Sequence, residues 1–192
     1  SNGEKRSINM STSEHENKIL IATPNVTGKF FNKSVIHIHT ADDTGASGVM
    51  LNVPMDYDMA VMWSKEIDWQ YPNSIYQGGP IDRQLGYVIH SADYARDTSV
   101  HLNSELSYTG GRAIVDDINR GVGPHKFQLS TGYCQWDPHQ LQTEIDYGMW
   151  VVTDFDVDYF FQDLDRDHGW EFAINIAAEN KTNKLLDAID IA

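Results

Sequence analysis

Gln140 and Glu144 lie four residues apart, and Trp136 stands four residues before the first of them. On a helix that spacing stacks the amide and the carboxyl on one face. Beside an indole, such a pair can form the polar edge of a ligand pocket: the amide donates and accepts, the carboxylate accepts, and the ring supplies apolar contact. The same pair on a solvated helix face does no chemistry, and that arrangement is the commoner one. His90 is a further group that can act as acid or base near neutral pH. The run Thr109-Gly110-Gly111-Arg112 opens a helical pattern, where free backbone N–H groups favour an anion. Together these residues form a candidate polar pocket.

Other patterns point to different chemistry, each with a plainer reading beside it. His37 and His39 are two apart in a strand-like run, so both rings face one side, as a pair of metal ligands would. No third ligand is apparent, and ordinary half-buried strand histidines fit as well. Asp154, Asp156 and Asp158 match the opening of a calcium loop, but Tyr159 stands where that loop requires glycine. Outward carboxylates on a strand are the better reading, and no metal site is assigned. Cys134 near His125 or His139 could form a thiolate pair, yet a cysteine between strand and helix is more often an apolar filler. No G-x-S-x-G elbow is present. No catalytic residue and no cofactor are assigned.

The elements that must position these groups follow from periodicity. "KILIAT" (18–23) and "SVIHIHT" (34–40) read as strands, and the turn-rich "ADDTGASG" (41–48) makes residues 34–53 a hairpin. After Pro54 an amphipathic helix starts near Asp56 or Asp58, either of which can cap it. Gly78-Gly79-Pro80 reads as a turn needing residues without a Cβ. Strands are expected at 85–90, 98–108 and 125–133, with a helix at 112–121 ended by Gly121. Asp137-Pro138-His139-Gln140 reads as a helix start, with Asp137 as cap and Gln140 closing a capping box. Leu141, Ile145 and Met149 then give the helix an apolar stripe that must be buried. An aromatic strand at 149–153, a short one near 157–161 and helices from about 167 complete the chain. The irregular mixture of strands and helices indicates an α+β fold.

Four segments in this order, "ILIATPNVTGKFFNKSVIHI", "QGGPIDRQLGYVIH", "GVGPHKFQLSTGYCQWDPHQLQTEI" with Trp150, and "WEFAINIA", resemble the AlgH/YqgE family of bacterial proteins over about residues 18–178. That family is often labelled a group of transcriptional regulators. Its most specific pieces here are Gly78-Gly79-Pro80 with His90, and Gly132-Tyr133-x-x-Trp136-x-x-x-Gln140-Leu141-x-x-Glu144. The resemblance implies one α+β domain with a bent, bifurcated, mostly antiparallel sheet curled into a pseudo-barrel and flanked by helices. It implies no established reaction or cofactor. The ligand-binding candidates are accordingly Gly78, Gly79, His90, Trp136, Gln140 and Glu144. Relatives commonly have Asn-Arg-Pro where this chain has Asn52-Val53-Pro54, Gly where it has His139, and a small residue where it has Cys134.

Composition bounds the remaining choices. The chain has 192 residues, 41% hydrophobic and 22% charged, which suits one domain over residues 18–192 after a polar segment, 1–17, expected to be disordered. That segment has no apolar h-region, so no secretory signal is expected. The net charge is −14, of which residues 137–192 carry −10, and Lys and Arg nowhere cluster as a nucleic-acid footprint requires. Direct nucleic-acid binding and membrane insertion are not expected. A lone cysteine suits a reducing, cytoplasmic setting. The leading reading is a non-enzymatic binding or regulatory domain that acts on transcription indirectly, through a protein partner or a small ligand. The alternative is an enzyme or ligand-binding protein using the pocket near Trp136, Gln140, Glu144 and His90.

Overall fold

The four residues of Ile19–Ala22 are all apolar and all buried, which is how a strand reads when both of its faces are covered. In the computed structural model, which describes residues 14–191, this strand, β1, lies inside a nine-stranded sheet. Its odd positions, Ile19 and Ile21, enter one apolar cluster, and its even positions, Leu20 and Ala22, enter another on the opposite face. Its neighbours are β2 (Val35–Asp42) and β9 (Trp150–Thr153), and β3 (Gly45–Met50) lies beyond β2, all pairs antiparallel. The β2–β3 hairpin is tighter than the sequence suggests: β2 runs to Asp42 and β3 starts at Gly45, and the Asp42 carboxylate accepts from the Thr44 N–H and closes the turn.

The long strand β8 (Phe127–Trp136) joins this group to a second one. Its first half pairs with β5 (Ile81–Ser91) and, in parallel, with β4 (Ile75–Gln77), while its last three residues pair with β3. The split falls at Gly132, whose φ of +69° is a left-handed conformation natural to glycine. β6 (Ser99–His101) and β7 (Leu106–Thr109) extend the second group, giving the order β6-β7-β5-β8-β3-β2-β1-β9. The sheet is curled into a half-barrel, the bent and bifurcated α+β architecture expected from the sequence.

Four helices among the described residues cover the sheet. α1 (Tyr57–Ile67) and α2 (Arg112–Asn119) close a cluster around Ile75, Val88 and Leu129. Gly121, just beyond the C-terminus of α2, has φ +77° as a C′ glycine should. α3 (Gln140–Asp146) buries Leu141 against the Trp136–Trp150 side of the sheet. α4 (Arg166–Ile191) is one long helix that buries Ala173 on the opposite face.

Several local expectations are corrected. The segment near 157–161 is a 3₁₀ turn at Val157–Tyr159, not a strand, because the Asp156 side chain accepts from the Asp158 N–H and bends the chain. Residues 98–108 form two short strands instead of one. Asp56 stands at the N-cap of α1 without a side-chain cap bond. α3 begins two residues later than expected, with His139 at the N-cap in a left-handed conformation, φ +69°. Only half of the capping box is made: the Gln140 side chain accepts from the Asp137 N–H at 3.0 Å, and Asp137's own side chain makes no cap bond. Of the expected disordered segment, residues 1–13 lie outside the described residues. Residues 14–17 form a turn, in which the Asn17 N–H donates to the Ile38 carbonyl and His15 bonds Gln142 on α3.

Candidate functional site

Trp136 ends β8 and Trp150 opens β9, so the loop carrying α3 returns to the sheet with an indole at each end. Both rings are 5% exposed. Glu144, on the second turn of α3, sits between them: its Oε1 accepts from Trp136 Nε1 at 3.4 Å and from Trp150 Nε1 at 3.3 Å. These are long bonds from neutral donors. Its second oxygen, Oε2, is buried and has no hydrogen-bond partner. A carboxylate oxygen in that position forfeits the hydration it had in water and gains nothing in return.

Next to this carboxyl is a cavity of about 410 Å³. Trp136, Trp150 and Phe31 give it an aromatic wall, and Val26, Met149 and Ile81 add aliphatic surface. Its polar lining is Glu144, Gln140, Gln135, Asn25 and Thr27, with no Lys, Arg or His among the described residues. The volume is within the range of small-molecule sites, and the pattern of mostly apolar walls with a few placed polar groups is theirs as well. The loop that closes it, 23–28, is tied to the α3–β9 turn by Thr23 Oγ1 and Asn25 Nδ2, which both donate to the Gly148 carbonyl.

The fold thus brings Trp136, Gln140 and Glu144 to one cavity. The other candidates lie elsewhere. Gly78 and Gly79 are not a left-handed turn: a Cβ on Gly79 would stand 2.1 Å from the Tyr133 carbonyl carbon, and one on Gly78 would stand 2.5 Å from the Gly132 oxygen. Their role is to let two backbones cross where β8 splits, and only the following Pro80 and Ile81 reach the cavity. His90 does not line the cavity. It is fully buried near the C-terminal end of β5, with Nδ1 bonded to the Ser91 carbonyl and Nε2 to Thr109 Oγ1, so both nitrogens are engaged. Burial lowers its pKa below the ordinary histidine range. The 109–112 turn follows it away from the cavity: Thr109 also bonds Ser99, and Arg112 reaches Asp116 and the Ile67 carbonyl.

Cys134 borders the cavity, but the residue is 1% exposed and burial pushes its thiol up to about 12, far from a reactive thiolate. His37 and His39 do share a face, with ring centroids 5.3 Å apart. His37 Nε2 bonds Asn17 Oδ1, while Nδ1 of each ring is buried without a partner. Desolvation lowers both pKa values, that of His39 to about 4, so the pair is neutral at physiological pH. Among the described residues no three His, Cys, Asp or Glu side chains are grouped to hold a metal ion.

Sequence reasoning missed the loop 25–28, Phe31 and Met149 as parts of the cavity. For the loop and Phe31 no local pattern marks a residue that meets Glu144 only after more than a hundred intervening positions. The position of Trp150, six residues after Glu144, was the one signal that a second indole could reach the same carboxyl.

Comparison with known proteins agrees with this architecture. The AlgH-like family model (DUF179) matches residues 19–180, and the chain belongs to that family. A UPF0301 protein of Ralstonia pickettii is 31% identical over 150 residues, covering 76% of this chain and 79% of the relative. One from Rickettsia rickettsii is 30% identical over 151 residues, covering 76% and 80%. In structure, the chain is similar to the AlgH protein of Pseudomonas aeruginosa, with a TM-score of 0.69 at 23% identity over 88% of this chain and 90% of that one. It is also similar to a protein of Corynebacterium diphtheriae, with a TM-score of 0.59 at 24% identity over 74% and 76%. No helix among the described residues is long and apolar enough to cross a membrane.

Proposed function

We propose that this chain is a non-enzymatic binding domain, cytoplasmic and regulatory, whose ligand seat is the cavity beside Trp136, Gln140 and Glu144. The observation that carries the reading is Glu144. Its carboxyl is held by two indoles that the fold brings together from different strands, and it keeps one buried oxygen unpartnered beside a space of small-molecule size. Buried polar groups are normally satisfied, and an exception at a cavity is what a binding site looks like before its ligand arrives. The binding reading is favoured over catalysis because His90 is spent on structural bonds elsewhere and the Cys134 thiol is held protonated. Any effect on transcription is indirect: a chain of net charge −14 without a basic cluster repels the phosphate backbone.

Gly28 supplies the test. It lines the cavity, and a Cβ there meets nothing within 4 Å, so Gly28→Phe adds bulk at the opening with little strain. In a fragment screen read by tryptophan fluorescence, wild type should yield saturable small-molecule hits that Gly28→Phe loses while its unfolding transition stays in place. Hits unaffected by the filled cavity would overturn the site. A mobility-shift titration that shows DNA binding at low salt, weakening as salt rises, would overturn the indirect role.

A further inference from the structure

We infer that the ligand of this cavity presents a cationic nitrogen to Glu144 and lays an apolar body against the aromatic wall, that is, an amine or amidine carrying a hydrocarbon or aromatic group. This rests on the reading of the cavity as a ligand site and narrows it to a chemical class.

The inference comes from what is missing around one carboxyl. Glu144 is the one ionisable carboxyl in the lining, and no lysine, arginine or histidine of the described residues lines the space with it. It takes part in no ion pair with a described residue. Two indole N–H groups hold Oε1, but indoles are neutral donors, so they orient the carboxylate without cancelling its charge. Oε2 then remains a buried acceptor with nothing to accept. Oε2 is shielded from the open space, so a cationic donor that draws the Glu144 carboxyl toward the cavity meets both needs at once, as a hydrogen bond and as a counter-ion. An anion would meet the carboxylate's repulsion inside a chain already at −14. A neutral alcohol can fill the hydrogen bond but leaves the charge unmatched.

The surrounding groups define the rest of the ligand. Trp136, Trp150, Phe31 and Met149 line the space with aromatic and thioether surface, which rewards an apolar body of several carbon atoms. The Gln140 side-chain oxygen is occupied by the Asp137 N–H, so its amide NH₂ is the donor left over, suited to a second, acceptor group on the ligand. The two indoles are fixed by burial and both donate to Oε1, so the carboxyl is held beside the cavity before any ligand enters, which reduces the ordering that binding requires.

The test compares three probes of nearly equal size: benzylammonium, benzyl alcohol and benzoate. The readout is the set of five indole N–H NMR signals, one for each tryptophan, in which Trp136 and Trp150 report on the cavity and the other three serve as internal controls. Benzylammonium should shift the Trp136 and Trp150 signals saturably and bind at least about tenfold more tightly than benzyl alcohol, with benzoate weakest. Glu144→Gln retains an oxygen for the indoles but removes the charge, and it should reduce the preference for the ammonium to less than about threefold. Equal binding of all three probes, or a preference for benzylammonium that survives in Glu144→Gln, overturns the cationic ligand while leaving the cavity a binding site. No shift of either indole by any probe up to millimolar concentration overturns both. Should Glu144→Gln unfold, the ranking of the three probes on wild type still decides the inference.

Discussion

Two regions on opposite faces of the same sheet contain buried polar atoms without partners, and they differ in what lies next to them. On one face Glu144 is gripped by Trp136 and Trp150 and borders a cavity of about 410 Å³. On the other, His37 and His39 sit among Phe155, Phe160 and Tyr108 in aromatic packing. Both regions leave a buried polar atom without a hydrogen-bond partner, but the histidine rings are packed among aromatic side chains and held neutral by burial, whereas the Glu144 carboxyl borders open space. On the binding reading proposed above, an unpartnered buried atom points to a ligand only where space accompanies it. In close packing it is a stability cost.

The largest effect expected is at the aromatic corner. Trp136→Ala removes a ring that is 5% exposed and packs with Leu20, Ile38 and Leu141, so it should cost about 3–5 kcal/mol in chemical denaturation. A loss below about 1 kcal/mol would mean the corner is not packed as described and would erase its contrast with the histidine face.

The histidine face should show itself through pH. Both folded-state pKa values are below the unfolded value near 6.5, so the unfolded chain takes up protons first as pH falls. Stability should therefore be full well above pH 6.5 and decline toward pH 4, with His39 alone contributing about 3 kcal/mol over that window. His39→Phe should flatten the decline, measured as urea midpoints at pH 7, 6, 5 and 4.5. An unchanged slope in the variant would show that the ring already protonates within the fold.

Two smaller substitutions sharpen the picture of how α3 is placed beneath the cavity. Gln140→Ala deletes the acceptor for the Asp137 N–H and should cost about 1 kcal/mol. Asp137→Ala should change stability by less than about 0.5 kcal/mol, because its side chain caps nothing. A reversal of that order in thermal melts would restore Asp137 to the capping role that the sequence suggests.

Much of the architecture was readable because its causes are local or periodic. The uninterrupted apolar run at 19–22, the alternation at 35–39, the stripe Leu141-Ile145-Met149 and Gly121 after α2 each act within a few residues, and each led to the observed element. The 157–159 turn was misread because a competing local bond to Asp156 decided it, and the start of α3 because His139 takes a left-handed conformation that holds the first helical residue back to Gln140. Gly78 and Gly79 were correctly seen to need the absence of a Cβ, but for the wrong cause. The need comes from β8 passing within contact distance, which no turn rule contains.

By itself, the sequence determined the α+β class, most of the strands and helices, and the nearness of Trp136, Gln140 and Glu144 along the chain, since these depend on side-chain period and on spacing within one short loop. Only the tertiary structure decided that His90 points into a satisfied network, that loop 23–28 completes the cavity, and that Glu144 keeps one oxygen without a partner. The physical reason is that a group's chemistry depends on which atoms surround it. At the cavity some of those atoms come from loop 23–28, more than a hundred residues from α3, brought there by the burial of two faces of one sheet.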